Sequence, residues 1–290
     1  MISGVHWLDA SLIGLLGLLV GSFLNVVVYR LPKIMEREWA VDCAELSGKE
    51  LPAVEPFNLM VPRSRCPHCS HQIRWFENIP LFSYLALRGA CSKCKKPIGV
   101  RYPAVELVTG LLFYFSASHY GSTALALAWA TFSALLIALF LIDFDTQLLP
   151  DDLNYLLLWL GLVIAALGWN ISLKSAVWGA VLGYLSLWSV YQVHHFLTGK
   201  VGLGHGDFKL LSALGAWFGA EHLLAIVLLS SVVGSIFGGV ALLVGRLAHK
   251  DIHFAFGPFL AGAGLLLFVI GPPTLVHWIP FIFPFSYAPG

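Results

Sequence analysis

From residue 107 to residue 142 the chain runs for 36 residues without an Asp, Glu, Lys or Arg. About 20 consecutive apolar residues cross the hydrocarbon core of a bilayer as one helix, so this run holds two spans. Inside lipid every backbone N–H and C=O must be bonded within the segment, which selects helices for continuous apolar runs. The same pattern recurs along the chain. Residues 11–29 form a first span, 153–173, 175–198 and 222–245 fit one each, and 252–290 holds a last one ending near Gly271-Pro-Pro273. Residues 208–220 are shorter and interrupted by glycine, and read as a short or tilted span. Charged residues are 11% of the chain, against roughly 25% in a soluble domain, and 58% are hydrophobic. The expected fold is an all-α polytopic membrane protein with about eight transmembrane helices.

The first span is expected to remain in place rather than to be cleaved. No basic segment precedes it, its apolar part is long, and Arg30 and Lys33 follow it as a stop. Net charge is +1, which implies no nucleic acid or other bulk electrostatic partner beyond the membrane lipid. The basic residues are nevertheless unevenly spread, with 12 of 17 between Arg30 and Arg101. The positive-inside rule therefore puts this loop in the cytoplasm and the N-terminus outside. Three regions follow: residues 1–29 as the first transmembrane helix, 30–101 as a cytoplasmic loop domain, and 102–290 as a helical bundle.

Counting spans onward from the loop brings the third span back to the cytoplasmic face at Asp143. The fifth returns to the same face near Thr198 to Lys200, just before Gly202-Leu-Gly-His-Gly-Asp-Phe-Lys209. Asp143 and Asp207 are thus expected on one face, close enough to share a site.

The loop contains Cys66-Pro-His-Cys69 and Cys91-Ser-Lys-Cys94, with 21 residues between the pairs. A segment this small buries little core and usually needs a staple. The cytoplasm disfavours disulfides, so two C-x-x-C knuckles read as a tetrahedral zinc site with Cys66, Cys69, Cys91 and Cys94 as ligands. A redox pair, or iron in the same geometry, are the alternatives. Cys43 reads as a plain thiol, and His68 and His71 are left out because four thiolates already fill a zinc. Glu106, early in the helix that follows Arg101-Tyr-Pro103, suits the positive end of a helix dipole. Gly179 with Gly183, and Gly234 with Gly238, are small-xxx-small pairs suited to helix packing.

Four carboxylates, Asp143, Asp145, Asp151 and Asp152, crowd one membrane boundary. Carboxylates at membrane depth are costly and mark functional cavities. Asp143 directly follows Leu141-Ile142 and is the most embedded of the four. Asp207 sits between Gly206 and an apolar run; it could equally cap that helix. Asp145, Asp151 and Asp152 read as capping or solvating the next helix, and Lys209 as neutralising a neighbouring carboxylate or snorkelling. Two carboxylates sharing one proton would make an aspartic-protease dyad. The same pair could instead relay ions or protons in a coupled transporter, or cut substrates within the membrane.

These motifs together resemble the bacterial type IV prepilin peptidase family. The likeness rests on Gly21-Ser-Phe-Leu-Asn-Val26 with Arg30-Leu-Pro32, the two cysteine knuckles, Arg101-Tyr-Pro103, Asp143 followed by six residues and Pro150-Asp151, and Gly204-His-Gly-Asp-Phe-Lys209. The resemblance covers nearly the whole chain and implies a bifunctional leader peptidase and N-methyltransferase of the bacterial inner membrane, with Asp143 and Asp207 as its catalytic carboxylates. It further implies prepilin and type II secretion pseudopilin substrates, cut after the Gly that ends a short basic leader. The new N-terminal residue, usually Phe, would then be methylated from S-adenosylmethionine.

Overall fold

The computed structural model describes residues 6–48, 56–200, 202, 204–243, 255–271 and 274. Among them the chain is helical: α1 (His6–Leu46), α2 (Phe82–Ala86), α3 (Arg101–Tyr120), α4 (Ala124–Thr146), α5 (Asp151–Ala166), α6 (Leu173–Thr198), α7 (His205–Phe218), α8 (Leu223–Leu243) and α9 (Gly257–Ile270). The extended pairing among these residues is limited to two isolated bridges in the cysteine loop, Arg65 with Gln72 and Ala90 with Pro97. Among the described residues, three segments are long and apolar enough to cross a membrane: His6–Leu46, Ala124–Thr146 and Ala220–Val240. The count of about eight expected from the uncharged runs is not reached on length and apolarity together. Helices α5, α7 and α9 have 16, 14 and 14 residues, and α3 and α6 carry more polar side chains. The expected break at Gly271-Pro-Pro273 lies at the edge of the described residues, both prolines falling outside them.

The chain divides into two compact units, residues 1–138 and 139–290. In the first, α1 and α3 pack along each other. Their approach is set by small residues: a Cβ on Gly21 would stand 2.7 Å from the Glu106 Cα. Asn25 Nδ2 then donates to the Tyr102 carbonyl at 3.2 Å, fixing the register where α3 begins. Helix α1 does not stop at Tyr29. It continues through Pro32 to Leu46, carried by helix-favouring residues such as Met35, Glu36, Arg37 and Ala40. Arg30 is buried and donates to the carbonyls of Asn58 (2.9 Å), Leu59 (3.4 Å) and Pro62 (2.6 Å), so the returning loop is tied to α1 at this point. The turn into α4 is closed by Gly121 at φ +71° and by Ser116 Oγ donating to the Ala126 carbonyl at 2.6 Å.

In the second unit α7 is the centre, packing on α5, α6 and α9. Every residue from Asp207 to Phe218 except Lys209 is buried. At ~1.5 Å per residue its length is ~21 Å, short of the ~30 Å hydrocarbon core; α5, α6 and α9 sheathe it. Helix α6 comes so close that a Cβ on Gly179 would overlap the Gly215 carbonyl, and one on Gly183 would sit 2.6 Å from the Leu211 oxygen. The Gly179 and Gly183 pair thus does the packing its spacing predicts. Trp217 Nε1 donates to the Leu157 carbonyl at 2.9 Å, pinning the far end of α7 to α5.

Candidate active site and cysteine cluster

Asp143 lies in the last turn of α4 and is 4% exposed; Asp207 lies in the first turn of α7 and is 6% exposed. What brings them together is the short segment after α4. The helix ends at Thr146, and the next residue, Gln147, has φ +57° while its N–H returns to the Asp143 carbonyl at 2.9 Å. The chain then turns into α5 through Leu149 and Pro150. Leu149 fills the space between Gly206 and Gly257: a Cβ on Gly206 would meet its Cβ at 2.6 Å, and one on Gly257 would meet its Cδ1 at 2.9 Å. A Cβ on Gly257 would also fall on Asp143 Oδ2. The residue before Asp207, the first residue of α9 and the Asp143 carboxylate therefore surround one leucine.

Each carboxylate faces one backbone amide, Gly257 for Asp143 and Gly204 for Asp207, and Asp143 lies within electrostatic reach of Asp207. Asp207 is the third residue of α7, and Gly204 is the N-cap, so this contact is half of a capping box: a side chain reaching back to the N-cap amide. That is a cap of a different kind from the one its position suggested, and it leaves the other oxygen free. Among the described residues Asp143 Oδ2 and Asp207 Oδ1 are both buried without a hydrogen-bond partner. A buried acceptor with nothing to bond is costly, and two of them in one site are what a hydrolytic water or a shared proton would satisfy.

The other acids of the cluster are arranged differently. Asp145, Asp151 and Asp152 are exposed, and Asp151 pairs with Lys209. Glu106, in the first unit, is buried and accepts the Leu81 N–H at 2.9 Å. It holds the loop against α3; lying beyond the first turn of that helix, it serves this contact rather than the helix dipole. Sequence reasoning missed Gly257 and Leu149 as site-builders. Gly257-Pro258 carries a turn signal and nothing that marks a carboxylate beside it.

In the loop, the ligand atoms of Cys66, Cys69, Cys91 and Cys94 all lie within 4.8 Å of one another. Cys66 Sγ is 3.8 Å from Cys94 Sγ, and Cys69 Sγ 3.9 Å from Cys91 Sγ. Zn–S bonds of ~2.3 Å in a tetrahedron require sulfurs ~3.8 Å apart, so the cluster fits zinc. Amides of the knuckles point at the sulfurs. Those of His68 and Cys69 lower the Cys66 thiol to about 6, and those of Cys94 and Lys93 lower Cys91. Cys69 accepts from the His71 amide, yet burial and the three neighbouring sulfurs push it up to about 11. Glu77 braces both knuckles. The Arg74 amide, at 2.8 Å, and Ser92 hold its carboxyl below the usual range, and His71 Nε2 stands 3.3 Å away. Cys43 is exposed and apart from the cluster.

Two family models match the chain. The Bacterial Peptidase A24 N-terminal domain matches residues 15–120, and the Type IV leader peptidase family matches residues 130–239. The chain is 53% identical over 268 residues to a prepilin leader peptidase/N-methyltransferase of Pseudomonas aeruginosa, covering 92% of each chain. It is 52% identical over 270 residues to the protein of that name in Stutzerimonas stutzeri, again covering 92% of each. With the one in Aeromonas hydrophila it shares 48% identity over 282 residues and 95% of each chain. No solved structure matches it.

Proposed function

The chain belongs to the prepilin leader peptidase/N-methyltransferase family, and from that premise we propose that Asp143 and Asp207 form its peptidase dyad. The observation that carries this is the pair of buried, unpartnered carboxylate oxygens in the second unit, with Asp143 within electrostatic reach of Asp207. Burial and mutual repulsion disfavour two charges on such a pair, so one carboxyl holds a proton and the other acts as base. The base takes a proton from water as its oxygen adds to the scissile carbonyl carbon. The acid gives its proton to the carbonyl oxygen. Roles then exchange as the C–N bond breaks, the nitrogen leaves protonated and the leader keeps the new carboxyl group. The two backbone amides hold the carboxylates in place for both steps.

The substrate is a prepilin, or a type II secretion pseudopilin, with a short basic leader ending in Gly. The enzyme is a multi-pass protein of the bacterial inner membrane. By the distribution of its basic residues, the N-terminus is outside and the dyad opens to the cytoplasmic face. Residues 30–101 act as a cytoplasmic domain between the first helix and the bundle of residues 102–290. Cys66, Cys69, Cys91 and Cys94 hold a structural zinc, which supplies folding free energy to the loop.

The second activity methylates the freed amine, with S-adenosylmethionine as donor. A cleft in the loop region, lined by Ile34, Arg37, Glu38, Val41, Asp42 and Phe57, has a volume of about 250 Å³. That is below the ~300–1,000 Å³ of small-molecule sites, so it does not fit the donor by itself. The relatives favour a peptidase over an ion- or proton-coupled transporter with the same two aspartates as a relay.

Co-expression with a prepilin tests the reading. The mass of the pilin N-terminal peptide reports leader loss and methylation together, and both are expected. An unprocessed prepilin beside well-inserted enzyme would overturn it.

A further inference from the structure

The loop that carries the cysteines has a surface the peptidase does not use. Trp75, Phe82 and Leu85 are 82%, 66% and 71% exposed, and Phe76 and Ile79 beside them are also exposed. Five large apolar side chains within eleven residues is more than scattered surface hydrophobicity, and such a patch marks an interaction. Its setting is strongly basic. Between Pro56 and Arg101 the chain has eight Lys and Arg and a single carboxylate, Glu77, which is engaged by His71 and the Arg74 amide.

The depth of the patch is fixed by one contact. Leu81, next to Phe82, donates its N–H to Glu106 in α3. Immediately after Glu106, α3 carries a run of exposed aliphatic residues, Leu107, Val108 and Leu111. The short helix α2 is thus held level with the start of that apolar run on α3.

We propose that the Trp75–Leu85 segment lies on the lipid interface beside α3, with its aromatic and aliphatic side chains among the headgroups of anionic phospholipid. Tryptophan favours that layer, and a short amphipathic segment with basic flanks binds it by apolar burial plus attraction to anionic lipid. Arg74 and Arg88, both exposed, bracket the segment and supply the charge. The consequence is that the zinc-bearing knuckles do not swing freely below the membrane. They are held against it at two places, Glu106 on α3 and the lipid surface.

A photoreactive benzoylphenylalanine in place of Phe82, and separately of Leu85, tests this in the full-length protein. The protein is placed in nanodiscs of anionic phosphatidylglycerol or of neutral phosphatidylcholine, and retained zinc checks the fold. Expected are lipid adducts at both positions and none at exposed Gln72, with higher yield in the anionic lipid. Arg74→Gln should lower the yield about fivefold in the anionic discs alone, from the ~1 kcal/mol that a basic residue gains near such a surface. In cells co-expressing a prepilin, lipid adducts should again dominate. Adducts only to the prepilin or to a second copy of the chain would overturn the proposal and make the patch a protein-docking surface. Absence of any adduct, or equal yield in both lipids, would also overturn it.

Discussion

Lys209 Nζ lies 2.6 and 2.7 Å from the two carboxylate oxygens of Asp151, joining the first turn of α7 to the first residue of α5. The Tyr155 ring, one turn further along α5, sits 5.4 Å from the same ammonium. On the other side of Asp207, Leu149 packs against Gly206. The start of α7 is therefore held on both flanks by the segment that links Asp143 to α5.

That arrangement predicts a positional role for the pair. Lys209 and Asp151 side chains are 24% and 51% exposed, so the bond is worth only ~0.2–1 kcal/mol of stability. Lys209→Met should therefore insert normally. Its effect should fall on the placement of Asp207, where a shift well under 1 Å lowers the rate roughly tenfold. Purified enzyme should show reduced kcat with KM for prepilin little changed, and Lys209→Arg should recover most of the loss. Exchanging the two charges should recover less, because a lysine at position 151 would oppose the dipole of α5. Unchanged kcat in Lys209→Met would remove the pair from the mechanism.

Asp143→Asn and Asp207→Asn should each abolish leader removal. An amide cannot take the proton that the dyad must pass, and one remaining carboxylate cannot be both acid and base. The protein should still be found in the membrane, since the change leaves packing volume almost unaltered. Asp145→Asn should retain most activity, because Asp145 is exposed and outside the buried pair. A gel-shift assay on co-expressed prepilin reads all three, and an equally dead Asp145 variant would move the catalytic assignment along α4.

The carboxylates could be found in the sequence because burying one is expensive, so each charged residue beside an apolar run stood out. The cysteine cluster was legible for a similar reason: few structures explain paired knuckles. Helix α1 was less so. Arg30 and Lys33 read as a stop, yet Arg30 is buried against three carbonyls and the helix runs on to Leu46. A single charged residue followed by proline looks the same whether it faces water or a returning loop. The burial of α7 was hidden too, because an apolar run of its length fits a short span as well as an enclosed helix. Gly257 could not be found at all, since its contact with Asp143 depends on where α9 is placed.

Purified protein should contain about one zinc per chain, bound by Cys66, Cys69, Cys91 and Cys94. Elemental analysis should show it lost in Cys91→Ser and kept in Cys43→Ser, whose thiol is exposed and not part of the cluster. Structural zinc is worth ~10–16 kcal/mol in small domains, so the loop of the Cys91 variant should also become sensitive to limited proteolysis. A zinc-free preparation with an intact, protected loop would rule out the metal as its staple.

The glycines of α6 and α8 provide an internal comparison. Gly183→Ala places a methyl 2.6 Å from the Leu211 oxygen on the backbone of α7, whereas a Cβ on Gly239 meets nothing within 4 Å. Overpacking of this kind costs ~1–3 kcal/mol, and a freely placed alanine gains up to ~1 kcal/mol of helix propensity. Thermal unfolding in detergent should therefore fall for Gly183→Ala and hold or rise for Gly239→Ala. Because α7 carries Asp207, Gly183→Ala should also lose activity below its melting point. Equal behaviour of the two variants would mean that α6 and α7 are not in close contact in the bilayer.

Cleavage and methylation should separate. Asp143, Leu149, Asp207 and Gly257 all belong to the second unit, and the four cysteines to the first. The loop depends on its metal, and methyl transfer acts on an amine that exists only after the cut. Asp207→Asn should therefore still methylate a synthetic peptide that already begins with the mature Phe, while failing on full-length prepilin. A Cys91→Ser/Cys94→Ser variant that reaches the membrane should lose methylation at least as severely as cleavage. Mass spectrometry of the pilin N-terminus reads both results. Full methylation without zinc, or a peptide left unmethylated by Asp207→Asn, would place methyl transfer in the helical bundle beside the dyad and make the two reactions share one site.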